Sequence, residues 1–136
     1  MFANFGTYNY TTNTVRQANG SGNYMVEVVV GLPGHLVDVS LFAFFTQTTV
    51  GVEGAVAFGL DSTTTPSTDS QGGSGEAAVA NVVVPLVARF CAPVGIGYHA
   101  LNWLESSTAS GTTTWQSIYG PSSLTNRSGI RGSLLG

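Results

Sequence analysis

Short apolar runs with a two-residue period are the feature that most constrains this sequence. In residues 24–30, YMVEVVV, alternate side chains from Tyr24 to Val30 fall on one face of an extended chain. Similar runs occupy residues 36–45, 52–60 and 78–90. Valine, phenylalanine, tyrosine, tryptophan and threonine dominate these runs, which favours strands. No segment has a sustained helical period with caps, so the sequence predicts an all-β protein with essentially no helix.

Turn residues separate the runs at short intervals. Gly/Pro turns occur at residues 31–34, 92–93 and 120–121. A hairpin, YHALNWLESSTASGTTTW, spans residues 98–115, and the tail SGIRGSLLG at residues 128–136 predicts a last strand. Many short strands joined by frequent turns predict an antiparallel sandwich or barrel.

Composition divides the chain into an arm and one domain. Residues 1–23, rich in Asn, Thr, Tyr and Gly, predict an extended N-terminal arm, and residues 24–136 predict one β-sandwich domain. Within the domain, residues 61–76, DSTTTPSTDSQGGSGE, contain no apolar side chain apart from one proline. We expect them to be a mobile surface loop, because nothing in them can be buried to offset the entropy cost of ordering.

Charged residues are scarce and limit the classes of partner. They make up 8% of the chain, against about 25% in average proteins. The cations are Arg16, Arg89, Arg127 and Arg131, there is no lysine, and the net charge is -3. We therefore expect no nucleic-acid partner. The sequence has no long uninterrupted apolar run, so we expect no membrane insertion. It does not begin with a basic segment followed by an apolar one, so we expect no signal peptide.

Several strands are apolar on both faces. The segments VEVVV, LFAFF and NVVVPLV would leave valine and phenylalanine in water if only one face met a core. The strands of an isolated antiparallel sandwich normally alternate between apolar and polar side chains. This pattern, together with the scarcity of charge, indicates subunits that pack face to face.

No pattern of residues marks a catalytic centre, so we predict no enzyme, cofactor or metal. Cys91, the only cysteine, is predicted to be a small buried apolar side chain. His99 is interpreted as a hydrogen-bonded structural residue on a strand, and His35 as a surface turn residue. Asp61 and Asp69 could hold calcium through their oxygens, but the spacing of a calcium-binding loop is missing, which favours solvated loop acids.

Two tryptophans have two interpretations. Trp103 and Trp115 could stack on sugar rings, or they could supply buried area in the core or between subunits. Packing is the favoured interpretation.

The C-terminal half resembles a known family. The stretch GIGYHALNWLESSTASGTTTWQS followed by SGIRGSLLG, with VVVPLVARF before it, resembles phage virion proteins that carry a C1q/TNF-like jelly roll. The resemblance covers residues 78–136, and the first half is similar in strand style alone. It implies an all-β, antiparallel jelly-roll sandwich that assembles as a homotrimer around a threefold axis, without catalytic residues.

The same resemblance implies a function. The expected protein is a non-enzymatic structural component of a phage particle, either a trimeric capsid decoration or a head-fibre protein on the virion surface. It would be assembled in the host cytoplasm and bind the major capsid protein or another virion protein. The alternative is a receptor- or carbohydrate-binding tip domain of a phage fibre, with a host surface glycan as its ligand. The chain lacks the collagen-like or coiled-coil stalk of many relatives, which favours direct docking on a capsid.

Four aromatic residues near the N-terminus are candidate partner-binding residues. Phe2, Phe5, Tyr8 and Tyr10 lie within a segment that is otherwise polar. Such a segment has too little apolar area to fold alone, so we expect the arm to become ordered against a neighbouring subunit or the capsid, with the aromatics as anchors. The alternative is that the arm adds an edge strand to its own sandwich.

Overall fold

A computed structural model describes residues 6–119 and 126–136. Within these ranges the chain forms thirteen strands and one short 3-10 turn at Ala18–Gly20, without an α-helix. The strands are β1 Tyr8–Tyr10, β2 Arg16–Gln17, β3 Met25–Val30, β4 Leu36–Gln47, β5 Glu53–Leu60, β6 Ser70–Gln71, β7 Gly73–Glu76, β8 Val84–Pro93, β9 Gly97–Ser107, β10 Thr113–Gln116, β11 Ile118–Tyr119, β12 Asn126–Arg127 and β13 Gly129–Leu135.

The strands form two main antiparallel sheets, each organised around one long strand. In the β4 sheet the order is β1-β10-β4-β8-β6, and β13 pairs with the first half of β4. In the β9 sheet the order is β2-β9-β5-β7, and β3 pairs with the first half of β9. Strands β11 and β12 form a separate two-stranded ribbon. The predicted all-β class and the antiparallel sandwich are therefore confirmed.

The core lies between the two sheets and is filled by alternate side chains. The inward residues of β4 are all nearly inaccessible, namely Val37, Val39, Leu41, Ala43 and Phe45. Trp103 of β9 and Trp115 of β10 are each 1% exposed. Their rings contact Tyr24 and Phe45 respectively, with ring centroids 5.6 Å apart in both pairs. The packing interpretation of the two tryptophans is confirmed.

The predicted runs coincide with strands except at one boundary. The run at residues 78–90 was expected to be extended throughout, but β8 begins at Val84. Before it the chain turns at Asn81, whose φ is 63° and whose N–H donates to the carbonyl of Gln47 at 2.7 Å. Apolar residues precede Asn81 without pairing in a ladder, so composition alone could not locate the start of this strand.

Residues 61–76 contain two short strands in their second half. Strand β6 pairs with β8 and β7 pairs with β5, so the segment crosses from one sheet to the other. The Ser67 N–H donates to the Phe58 carbonyl at 2.8 Å, and the Ser70 hydroxyl accepts from the Phe58 N–H at 2.8 Å. Sheet edges satisfy backbone groups here without any apolar side chain. The mobility of the segment stays a prediction.

The N-terminal segment is part of both sheets. Strand β1 pairs with β10, and β2 pairs with the second half of β9. Tyr10 is buried, and Tyr8 is partly buried against the core. From residue 8 onwards the structure therefore agrees with the alternative in which the arm adds an edge strand, β1, to its own sandwich. The expected division after residue 23 stays a prediction.

The prediction that Cys91 is buried is wrong. Its side chain is exposed, because β8 alternates strictly and places Phe90 and Ala92 in the core. Cys91 therefore projects from the outer face of the β4 sheet.

Candidate functional site

The outer face of the β4 sheet keeps apolar side chains exposed. Phe42 of β4 and Val87 of β8 are direct cross-strand neighbours, and they are 38% and 56% exposed. Leu36 and Leu135 form a second exposed pair at the other end of β4. We call this surface, from Leu36 and Leu135 to Phe42 and Val87, the outer β4 face. Exposed apolar side chains that lie side by side on a sheet face make it a candidate surface for contact with another protein.

An ion pair occupies the middle of the outer β4 face. The Arg89 Nε and Nη2 atoms each lie 2.9 Å from a different carboxylate oxygen of Asp38, so the ion pair is bidentate. The hydrogen bond from Arg89 lowers the pKa of the Asp38 carboxyl. Both side chains retain contact with solvent, so the pair contributes little to stability. Its main effect is to hold Arg89 in one orientation.

An open groove runs beside Phe42 and Val87. Its volume is about 350 Å³, and its lining includes Ser40, Arg127 and Arg131. Three of the four cations of the chain therefore lie on this face. Arginine and aromatic side chains are enriched at protein interfaces, so this groove can accept an apolar side chain together with an acidic group.

The fourth cation belongs to a buried cluster that the sequence did not reveal as a unit. Arg16 of β2 lies 2.8 Å from the carboxylate of Glu105 on β9, and its guanidinium lies 3.6 Å from the centre of the Tyr10 ring. The Tyr8 hydroxyl donates to the same carboxylate. The sequence does indicate the position of Glu105, because Glu105 shares the two-residue period of Leu101 and Trp103 and so falls on the same, inward face of the strand.

The structure describes two of the four predicted partner-binding residues, Tyr8 and Tyr10. Tyr8 donates to Glu105, and the Tyr10 hydroxyl donates to the carbonyl of Thr14 at 2.7 Å, so both side chains make contacts within their own chain. Phe2 and Phe5 lie outside the described residues. The binding of a partner by these four residues stays a prediction.

The histidines and loop acids lie in different environments in the described ranges. His99 forms hydrogen bonds with Asp61 and with the Gly95 carbonyl, as expected for a structural residue. Asp61 is thus held by protein partners and is not simply solvated. His35 follows the turn that precedes β4, and its side chain is partly buried. Asp69 is exposed. In residues 6–119 and 126–136 no three His, Cys, Asp or Glu side chains converge as metal ligands.

Comparison with known proteins places the chain in no family. No protein-family profile matches it, and no curated protein sequence matches it. In the part of the chain that the structure describes, no helix is long and apolar enough to cross a membrane. The geometry of the outer β4 face is therefore the main structural basis for a functional proposal.

Proposed function

We propose that this chain is a non-enzymatic structural protein of a phage particle, a trimeric capsid decoration or head-fibre protein on the virion surface. The observation that carries the proposal is the outer β4 face, where Phe42 and Val87 are exposed side by side. Around them lie small and polar residues, Ser40 and Gly129, together with arginine side chains that include Arg131. A surface of this composition is suited to contact with further copies of the chain.

The order of the strands supports a jelly-roll topology of the C1q/TNF-like kind. Strands β13, β4 and β8 are adjacent in one sheet, and β3, β9, β5 and β7 follow one another in the other. The chain changes sheet at every connection from β3 to β10. Crossings between two facing sheets are typical of jelly rolls. This arrangement agrees with the resemblance carried by residues 78–136.

We infer that the outer β4 face is the surface that packs around the threefold axis. It offers an aromatic ring, a branched aliphatic side chain and arginines, which are a suitable set for the centre of an interface. The ion pair between Arg89 and Asp38 neutralises one of these cations before association. Assembly would therefore cover apolar surface without burying that arginine unpaired, which limits the electrostatic cost.

The oligomeric part of the proposal is tested by native mass measurement of matched valine variants. Val87→Glu places a charge on the outer β4 face, and Val29→Glu places the same charge on the β9 sheet at a residue that is 71% exposed. We expect the wild type and V29E to have the mass of three 14.0 kDa chains and V87E to be a monomer. A monomeric wild type, or a V87E variant that remains trimeric, would contradict the proposal.

Attachment to a particle is tested separately. We expect purified particles of the source phage to contain this chain on their outer surface, bound to the major capsid protein or another virion protein. Mass spectrometry of the particles and electron microscopy with a specific antibody measure this directly. Particles that lack the chain would contradict the virion assignment while leaving the trimer result intact.

A further inference from the structure

His99, on β9, connects the loop after β5 with the turn between β8 and β9 at one end of the β9 sheet. Its Nδ1 lies 2.8 Å from Asp61 Oδ2, in the loop after β5, and its Nε2 lies 2.9 Å from the carbonyl oxygen of Gly95, in the turn between β8 and β9. The other carboxylate oxygen of Asp61 accepts the N–H of Ala100 at 2.8 Å. The imidazole side chain is 16% exposed. One ring thus holds a loop and a turn together.

The chemistry of the two acceptors determines the protonation state that fits this geometry. A carbonyl oxygen and an ionised carboxylate can only accept hydrogen bonds. Both ring nitrogens must therefore carry a proton for both contacts to be hydrogen bonds, which makes His99 an imidazolium. Neutral His99 would keep its proton toward the charged Asp61, the stronger acceptor. Its unprotonated Nε2 would then face the Gly95 carbonyl oxygen, and the lone pairs of the two atoms would repel each other.

We propose that His99 is a pH-sensitive latch that holds the β8–β9 turn closed in its doubly protonated form and releases Gly95 when it loses a proton. The turn has the backbone freedom to respond, since Gly97 has a φ of 135° and Gly95 and Gly97 flank Ile96. Ile96 is 64% exposed at the tip. Opening the latch therefore changes how an apolar tip is presented to a partner.

The charges around the latch favour the closed, doubly protonated form of His99, so the latch opens at a higher pH than that at which an ordinary histidine loses its proton. Asp61 is the carboxylate that faces His99, and its hydrogen bond raises the pKa of the imidazole against the smaller opposing effect of burial. On the adjacent strand β3, Val28 lies opposite His99, and Glu27 accepts from the Tyr98 hydroxyl on the outer face. The turn at residues 94–97 contributes no titratable side chain.

The experiment is a pH titration of the intact protein by NMR, from about pH 5 to about pH 9, across the range in which histidine titrates. Long-range proton–nitrogen spectra report the protonation of the imidazole nitrogens, and labelled isoleucine methyl groups report the turn. We expect His99 to be doubly protonated at the acid end with a midpoint above 6.5. The Ile96 methyl should titrate with the same midpoint, while that of Ile130, a buried residue, should not.

Two variants separate the latch from general effects of pH. His99→Gln should abolish the titration of Ile96, and His35→Gln, which removes the only other histidine, should leave it unchanged. In the wild type, amide exchange in the turn, corrected for intrinsic rates, should accelerate above the midpoint by roughly threefold to tenfold, the equivalent of one hydrogen bond.

Asp61→Asn provides a test that does not depend on the folding of the His99 variant. It keeps an oxygen that can accept from Ala100 but removes the charge, so the midpoint of His99 should move to lower pH. The proposal is overturned if Ile96 does not follow His99, if Ile96 still titrates in H99Q, or if the midpoint is unchanged in D61N.

Discussion

The guanidinium of Arg16 lies 2.8 Å from a carboxylate oxygen of Glu105, a side chain with no exposed surface. The Tyr8 hydroxyl and the Asn19 N–H, at 3.2 Å, donate to the same carboxylate. Burial raises the pKa of Glu105, and the hydrogen bonds from Tyr8 and Arg16 oppose that effect without cancelling it. One buried carboxylate thus anchors β1, β2 and the turn after them to the β9 sheet.

Replacing Arg16 with Met should destabilise the fold by about 2–4 kcal/mol, because it leaves the charge of Glu105 buried without its partner. Chemical denaturation at a fixed protomer concentration measures this loss. The double variant R16M/E105Q is the control, since it removes both charges and should recover most of the stability. Equal losses in the single and double variants would show that Arg16 stabilises through packing on Tyr10 alone.

The cost of R16M should depend on pH. Because the folded-state pKa of Glu105 lies above its ordinary value of 4.5, its contribution to stability is greatest below that value and declines as pH rises through the folded-state pKa. Removing Arg16 raises this pKa further, so the penalty should be small near pH 4 and grow toward neutrality. Unfolding free energies of R16M and wild type, measured across this range, test the trend. A penalty that stays constant with pH would contradict it.

Gly59→Ala should loosen the segment after β5. A Cβ at this position would overlap the carbonyl oxygen of Ser62, so the backbone over the β9 sheet must shift. We expect a loss of about 1–3 kcal/mol, as for other overpacked sites, together with faster amide exchange in residues 61–67. Gly31→Ala is the matched control, because nothing lies within 4 Å of its Cβ position. Similar losses in both variants would mean that the contact with Ser62 is not the cause.

Cys91 should report whether the outer β4 face is covered. Its side chain is exposed in the single chain and lies opposite Asp38 on that face. If three chains pack there, a thiol reagent should modify Cys91 in the wild type at least roughly tenfold more slowly than in V87E, since reaction requires access to the thiolate. V29E should react as slowly as the wild type. Equal rates in all three proteins would place the interface elsewhere.

Residue-level expectations succeeded where the strand period alone was sufficient. Trp103 was expected to supply buried area in the core or between subunits, and the alternation that puts it on the same face as Leu101 places it in the core. Cys91 was expected to be buried because cysteine usually is, although the same alternation in β8, through Leu86, Ala88 and Phe90, places it outside. Position within a strand therefore decided burial more reliably than residue type.

Expectations that depended on distant parts of the chain were less successful. The polar composition of residues 61–76 does not reveal that their backbone lies beside the free edges of β5 and β8. In the same way, the polar sequence around Tyr8 and Tyr10 does not reveal β10 or Glu105 as partners. Both segments form strand pairs with residues far away in sequence.

The sequence by itself determined that the chain is all-β, where its main strands lie and which side chains of each strand share a face. These properties follow from a two-residue period, which is local. The tertiary structure decided which strands are neighbours, which outer face keeps Phe42 and Val87 exposed, and how Glu105 and His99 obtain their hydrogen-bond partners. Hydrogen bonds between strands and the pairing of buried charges depend on groups that only the folded chain brings together.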